Sequence, residues 1–375
     1  MSSKINTVQQ RILKRIVERK TPERQFLPSI RELEPELTSC RQTIHLALRE
    51  LVEAGVLEAL PRRGFRVRNA GLAAGLFHAS AELQIAFVLP RWIEKGIQSS
   101  MFSEILNGAE AAGFPGQTVN LVYFTLPWSA NERNFSLERL AFPSRRISGA
   151  MLVGPTPDFI AEQFIAKCSV PVVLIDNQSD LESTICVTQD NLGGAARAVR
   201  YLHEHGHRRI GMISVKPRKM RLNERMAGFY AEMHRLGLAG QIAFIEETDW
   251  DGDTVSGGED CARRLLRDGL NDASAILALN DHMAFGAMRV FQEAGMRIPA
   301  DLSIMAIGRD AQIAEFCSPQ LSTMCCDPRR LGELGLEALL ERIRNPDAGG
   351  RHILLNMTLC EGGSVGLVPV PARPA

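Results

Sequence analysis

The amino-acid sequence predicts a mixed α/β protein in two parts. A small head of three helices and a β-hairpin spans residues 1–69, and a larger body of alternating strands and helices spans 83–366. Three observations predict this. Apolar residues recur at helical spacing three times before residue 55, then give way to two short extended segments around a Pro-Arg-Arg-Gly turn. From residue 83 onward, near-continuous apolar runs alternate with amphipathic stretches, the pattern of parallel sheets covered on both faces. Charge is also divided: 43 basic and 43 acidic residues cancel over the 375, but residues 1–69 hold fourteen Lys/Arg against eight Glu, leaving +6 there and −6 in the remainder. A basic module joined to an acidic one fits a nucleic-acid-binding head on a body with another task.

In the head, Val8, Ile12, Leu13, Ile16 and Val17 predict an amphipathic helix over residues 6–19. Ser29-Ile30-Arg31-Glu32 has the form of a capping box, in which hydroxyl and carboxylate satisfy free backbone N–H groups reciprocally, so a second helix starts after Ser29. Pro35 lies inside that helix, removes a backbone bond and should kink or shorten it. Ile44, Ala47, Leu48, Leu51 and Val52 form the apolar face of a third helix that stops at Gly55. Arg41, Gln42, His45 and Arg49 lie on another face, where they can bond to base edges or phosphates. Cys40 stands where a capping residue is expected, and Ser39 with Gln42 offers a displaced capping box. Cys40 reads as a small packed residue rather than a reactive thiolate. Segments 56–60 and 65–68, joined by Pro61-Arg62-Arg63-Gly64, complete a winged helix-turn-helix with a basic wing tip.

The motifs "LPSIREL", "RQTIHLALREL" and "EAGVLEALPRRGFRV" resemble the GntR family of bacterial regulators in order and spacing across residues 5–68. The resemblance implies a DNA-contact set of Ser29, Arg31, Arg41, Gln42, Thr43, His45, Arg62, Arg63 and Gly64. His45 stands where the family often has an arginine, which implies a weaker guanine contact there.

Residues 70–82 carry little charge and no periodic signal and read as a connector, partly helical. Beyond them, apolar runs at 85–89, 121–124, 150–153, 170–175, 210–213, 242–245, 275–279 and 302–307 predict strands. About 280 residues exceed one comfortable core, so two α/β lobes are expected. "AARAVRYLHEHGHRRIGMIS", "NERMAGFYAEMHRLGL", "ILALNDHMAFGAMRVFQEAGMRIPADLSIMAIGRD" and "SPQLSTMCCDPRRLGELGLEALLERI" resemble, in order, the LacI/GalR repressors' effector domain, a relative of periplasmic sugar-binding proteins. The resemblance implies a carbohydrate or related metabolite held between the lobes. Arg225 would clamp paired hydroxyls, Asn280 and Asp310 would bind others, Trp250 would supply an apolar wall and Asp190 would lie between the lobes. Arg91, Trp92 and Phe102 follow the first strand of the body, where loops face the cleft.

Each of these residues has a structural alternative. Asp190 is placed to cap the helix after Asn191, and Asn280-Asp281 to cap the helix near His282, a role assigned chiefly to Asp281. Trp250 can pack at a hinge, and Arg225 can pair with Glu224 or a neighbour. Arg309 replaces the aromatic residue usual before the site Asp, which points toward an unusual, anionic ligand.

The remaining signals exclude other chemistries. His203, His205 and His207 lack the carboxylate or Cys partners of a zinc site, and neighbouring Cys325 and Cys326 are expected to alternate in and out of a strand. There is no nucleophile elbow, Walker loop or dinucleotide fingerprint, so no enzyme, metal or cofactor is expected. Eight scattered Cys, an N-terminus without an apolar signal core and no apolar run of about 18 residues place the chain in the cytoplasm with reduced thiols and no membrane partner. The reading is a ligand-responsive repressor, a homodimer on double-stranded operator DNA. Its rivals are a soluble sugar-binding protein and a sugar-modifying enzyme that uses the head to dimerise.

Overall fold

The computed structural model describes residues 2–80, 83–90, 100–112, 118–126, 147–154, 156, 158–216, 223–249, 254–308 and 311–368. The chain divides into two compact units, Met1–Gln84 with Gly113–Asn120, and Ile85–Ala112 with Leu121–Ala375.

In the first unit, α1 (Ser2–Glu18), α2 (Ile30–Leu37) and α3 (Arg41–Glu53) enclose a core in which Ile12, Leu13, Ile16, Leu33, Ile44, Ala47, Leu48 and Leu51 are all buried. The periodicity explains this: each helix turns one apolar stripe inward and leaves its charges outside. The capping box forms, with the Ser29 N–H donating to Glu32 Oε2 at 2.8 Å and the Glu32 N–H to Ser29 Oγ at 3.4 Å. Pro35 sits inside α2, which is only eight residues long and ends in a left-handed Thr38. The displaced capping box at Ser39 does not form. Helix α3 begins at Arg41 with Cys40 as its N-cap and no side-chain bond to a backbone N–H, because Cys40 Sγ contacts Thr43 Oγ1 instead, at 3.2 Å.

Strands β1 (Leu57–Leu60) and β2 (Gly64–Val67) pair antiparallel, Leu60 opposite Gly64. Arg62 and Gly64 both take positive φ in the tip, at 60° and 92°, and a glycine meets that demand at no steric cost. An unforeseen third segment lies along β2, where the Leu27 N–H donates to Phe65 O at 2.8 Å and the Val67 N–H to Gln25 O at 2.9 Å. The segment read as a connector is mostly helix: α4 (Ala70–Ser80) packs along α1 and buries Ala73 in the head's core.

The body holds two six-stranded sheets. The first contains β3 (Leu83–Pro90), β4 (Val119–Leu126), β5 (Gly149–Val153), β6 (Val172–Ile175), β7 (Ile185–Gln189) and β13 (Arg351–Leu355), in the spatial order β4-β3-β5-β6-β7-β13. The second contains β8 (Ile210–Val215), β9 (Ile242–Thr248), β10 (Ala275–Ala278), β11 (Ser303–Ile307), β12 (Ser322–Cys325) and β14 (Thr358–Cys360), in the order β9-β8-β10-β11-β12-β14. Both orders reverse direction beside their first strand, which opens a crevice at the carboxyl ends of the strands. The chain passes between lobes three times: from β7 into α7 (Asn191–Glu204), from β12 into α12 (Pro328–Arg344), and from β13 into β14.

Cys325 and Cys360, on paired strands β12 and β14, form a disulfide, where reduced thiols were expected; Cys325 is not bonded to Cys326. His207 is buried between Ser274 Oγ, 2.9 Å from Nδ1, and Gly366 O, 3.1 Å from Nε2, and burial depresses its pKa to about 4. Among the described residues there is no His/Cys/Asp/Glu group fit to hold a metal, and no helix long and apolar enough to cross a membrane.

Helix α12 reaches the first lobe by close approach to α5 (Ser100–Ala111), where a Cβ on Gly332 would run into the backbone carbonyl of Ile105. Gly332→Ala is therefore expected to destabilise the body by about 1–3 kcal/mol. Gly349→Ala, with open space around the added methyl, should be near neutral. Urea unfolding of the two variants provides the comparison, and equal midpoints would show that the two helices do not depend on this contact.

Candidate DNA-reading face and interlobe site

The head gathers four of the expected DNA-contact residues on one face. Arg31, Arg41, Gln42 and His45 line a concavity with Ile30 and Leu46, between the start of α2 and the first turns of α3. All four side chains are exposed. The capping box makes this possible, because it fixes where α2 begins and so places Arg31 beside α3. Arg41 donates from Nε to Glu34 Oε2 at 2.8 Å. His45 packs edge-on against Phe65 of β2, with ring centroids 6.3 Å apart, which ties α3 to the β-hairpin. At the wing tip, the Arg63 guanidinium lies 5.3 Å from the centre of the Phe26 ring, a cation–π contact that restrains a long side chain.

Two expected residues are already occupied. The Ser29 hydroxyl lies 2.8 Å from Glu32 Oε2, and Thr43 contacts Cys40. That contact also lowers the pKa of the exposed Cys40 thiol. With Cys40 as an ineffective cap, the first N–H groups of α3 lack a side-chain acceptor and suit a phosphate oxygen. Arg62 and Gly64 are exposed on the tip of the wing.

In the body, Arg225 lies on the first turn of α8 (Asn223–Arg235) and is only 7% exposed. Its Nε donates to Asn191 Oδ1 at 2.8 Å, and its Nη1 donates to Leu279 O at 2.6 Å and Ile307 O at 2.7 Å. One guanidinium thus ties the start of α7 to the ends of β10 and β11. No ion pair with Glu224 is formed at close range; the carboxylate that most strongly opposes the depression of the Arg225 pKa by burial is Asp176.

Asp176 terminates β6 in the first lobe, at φ 52°, and accepts a bond from Gln189 Nε2 at 2.9 Å. Desolvation pushes its carboxyl up to about 6, against the opposing pull of Arg225 and Gln189. Cys326, at the second crossover, places its Sγ 3.7 Å from Gln189 Oε1. Two of the three chain crossings therefore meet at a polar cluster of Asp176, Gln189, Asn191, Arg225 and Cys326. Sequence reading did not single out Asp176, although an Asp directly after an apolar strand, at the carboxyl edge of a sheet, is the signal that marks it.

Asp190 caps α7, accepting from the Gly193 N–H at 2.9 Å and pairing with Arg197 Nη2 at 3.1 Å. Asn280 caps α10 (Asp281–Glu293) through Oδ1, bonded to the Met283 N–H at 2.9 Å, so its amide nitrogen stays available to donate elsewhere. The cap role assigned to Asp281 belongs to Asn280. Asp281 is buried and accepts from Thr323 Oγ1 at 2.7 Å. Phe102 is half-buried on the first turn of α5. Arg91, Trp92, Trp250 and Asp310, with Arg309, lie outside the described residues. The guanidinium of Arg225 and the carboxamide of Asn280 are of the chemical kinds that bond to sugar hydroxyls.

Residues 4–67 match the gntR family of bacterial regulatory proteins, and residues 199–365 match the periplasmic binding protein-like domain family. The ribose operon repressor of Haemophilus influenzae is 31% identical over 258 residues, covering 68% of this chain and 75% of that protein. Among solved structures, the regulator CelR in complex with cellobiose superposes with a TM-score of 0.64 at 22% identity, covering 90% of this chain and all of that one. A LacI-family regulator from Enterococcus faecium with bound ribose superposes at 0.60 and 24% identity, covering 76% of this chain and all of that one. These likenesses extend across both lobes, and the head carries a match of its own: the chain belongs to the LacI-type transcription regulators, with a GntR-type winged helix-turn-helix as its head.

Proposed function

We propose that this protein is a ligand-responsive repressor that binds operator DNA through its head and a small carbohydrate between the lobes of its body, working as a homodimer in the cytoplasm. The observation that carries the reading is the single exposed face on which Arg31, Arg41, Gln42 and His45 converge beside a basic wing. Two such heads on half-sites about 34 Å apart would each place α3 in the major groove, with Arg41 and His45 toward base edges and the wing toward the backbone. Relatives with ribose or cellobiose in their names support a sugar as effector. The exposed Lys216 and the basic run that follows it keep anionic sugars among the ligands to be tried. A ligand that favours one lobe arrangement by about 1–3 kcal/mol would change operator affinity roughly 5–150-fold.

The test is a carbohydrate panel, neutral pentoses and hexoses beside their phosphates, read by thermal shift and by release of a promoter duplex. Turnover of any sugar would instead support an enzyme.

Arg41→Ala should lower preference for the operator by about 1–3 kcal/mol at one base pair. Binding of the unaltered protein should weaken steeply with salt as counterions are released. Duplex titrations at several salt concentrations measure both, and unchanged base preference in the variant would remove Arg41 from the readout.

Arg225→Lys keeps the charge but loses the fixed fork. It should abolish the thermal shift with the effector and cost the body about 1–3 kcal/mol, because the Leu279 and Ile307 carbonyls lose their donor. A full effector response in this variant would place the sugar elsewhere.

Because the carboxyl of Asp176 titrates at about 6 in the folded chain against an ordinary 3.8, its ionisation opposes folding. Asp176→Asn should match the wild type in stability well below pH 3.8, where the acid is protonated in both states, and begin to gain on it as pH passes 3.8 and the unfolded chain ionises first. It should go on gaining as pH rises through 6 and hold a constant lead above that. Thermal melts across this range check the sign, and a lead that shrinks with pH would overturn it.

A further inference from the structure

An acidic residue is paired with Arg41, one of the residues that line the reading face, and it needs a reason to be there. Glu34 lies on α2, is 30% exposed, and accepts from Arg41 Nε at 2.8 Å. A surface that approaches phosphates gains nothing from a carboxylate, and an exposed ion pair of this kind adds little to stability. The geometry of the contact supplies the reason. Glu34 holds Arg41 by Nε, the side of the guanidinium, while Nη1 and Nη2 take no partner among the described residues. Those two nitrogens form the planar fork that recognises O6 and N7 of a guanine.

We propose that Glu34 is a specificity-determining positioning residue: its carboxylate grips Arg41 from the side, orients the terminal fork toward a guanine in the major groove, and discourages the same arginine from settling on a phosphate. This rests on the reading of α3 as the DNA-contacting helix. It follows from two features of the local structure. The capping box sets the start of α2 at Ile30, and the helix ends at Leu37, so Glu34 on its second turn comes beside Arg41, the first residue of α3. The nearby acids are otherwise engaged: Glu32 bonds to Ser29, Glu36 pairs with Arg15 and Arg19, and Glu50 pairs with Gln9. An arginine left loose at this place would bind any duplex through its charge; held by Nε, it offers one edge to one base.

The experiment uses the full-length protein, a duplex selected by it from a randomised pool, and a scrambled duplex of equal composition. Glu34→Ala should reduce the preference for the selected duplex by about tenfold, within the range a bidentate guanine contact supplies. It should also tighten binding to the scrambled duplex and steepen its salt dependence by roughly one phosphate contact. Glu34→Gln, which keeps an acceptor but no charge, should fall between. In an Arg41→Ala background, Glu34→Ala should leave the preference unchanged. A preference within twofold of wild type, an equal weakening on both duplexes, or the same loss with Arg41 already removed would each overturn the proposal. Wild-type protein that selects no duplex would overturn the reading of the head itself, which separates the two failures.

Discussion

A buried guanidinium must be compensated or it costs the fold more than its packing returns. Arg225 is compensated by acceptors drawn from three different elements: a side-chain amide at the start of α7 and two carbonyls at the ends of β10 and β11. That requirement arranges the floor of the second lobe's crevice. The strand ends cannot splay without unpairing the charge, and α7, which enters directly from the first lobe, cannot shift without moving Asn191. Asp176 approaches the same cation from the other lobe, partly desolvated and held by Gln189. The two lobes therefore share an electrostatic interaction at the place where the chain crosses between them, and any ligand that bonds to Arg225 or alters the solvation of Asp176 acts on both lobes together.

Much of this was legible in the sequence, for identifiable reasons. The three helices of the head follow from apolar spacing, and the Ser29–Glu32 box is local chemistry that no distant contact has to complete. Eight of the body's strands coincide with apolar runs because both faces of their sheets are covered. Four strands escaped notice, and they are of two kinds: β7 and β12 bury polar residues, Thr188 and Gln189 in β7, while β13 and β14 are edges. Strand β12 buries Ser322 and Thr323: the Ser322 hydroxyl accepts from the Gly362 N–H, its backbone N–H donates to Ser364 Oγ, and the Thr323 hydroxyl bonds to Asp281 and Gly308, so its polarity reads as a loop until its partners are known. Strands β13 and β14 lie at sheet edges and expose several residues, leaving no continuous apolar run. The segment beside β2, residues 24–27, is aligned by backbone bonds to that strand, which no side-chain periodicity announces.

The candidate site was harder to read because the same functional groups serve two purposes. A carboxylate or carboxamide that satisfies the first N–H groups of a helix is chemically what a sugar hydroxyl needs, and Asp190 and Asn280 both stand at helix starts facing strand ends. Their differences are geometric. Asp190 spends its oxygens on Gly193 and Arg197, whereas Asn280 caps with its oxygen and keeps its nitrogen. Asp176 escaped notice because its importance comes from Arg225, about fifty residues later, and from a left-handed backbone that only the fold reveals.

Charge segregation completes the argument about how such a chain finds DNA. A net charge of zero would give no long-range attraction, but residues 1–69 carry +6 and the rest −6. A duplex attracts the head and repels the body, so encounter is oriented before any base is read. The attraction that speeds encounter is blind to sequence, and every freely mobile arginine on the reading face adds to binding at the wrong sites. Under the proposed function, discrimination would depend on restraining such side chains, and the head restrains three locally: His45 rests on Phe65, Arg63 on Phe26, and Arg41 against Glu34.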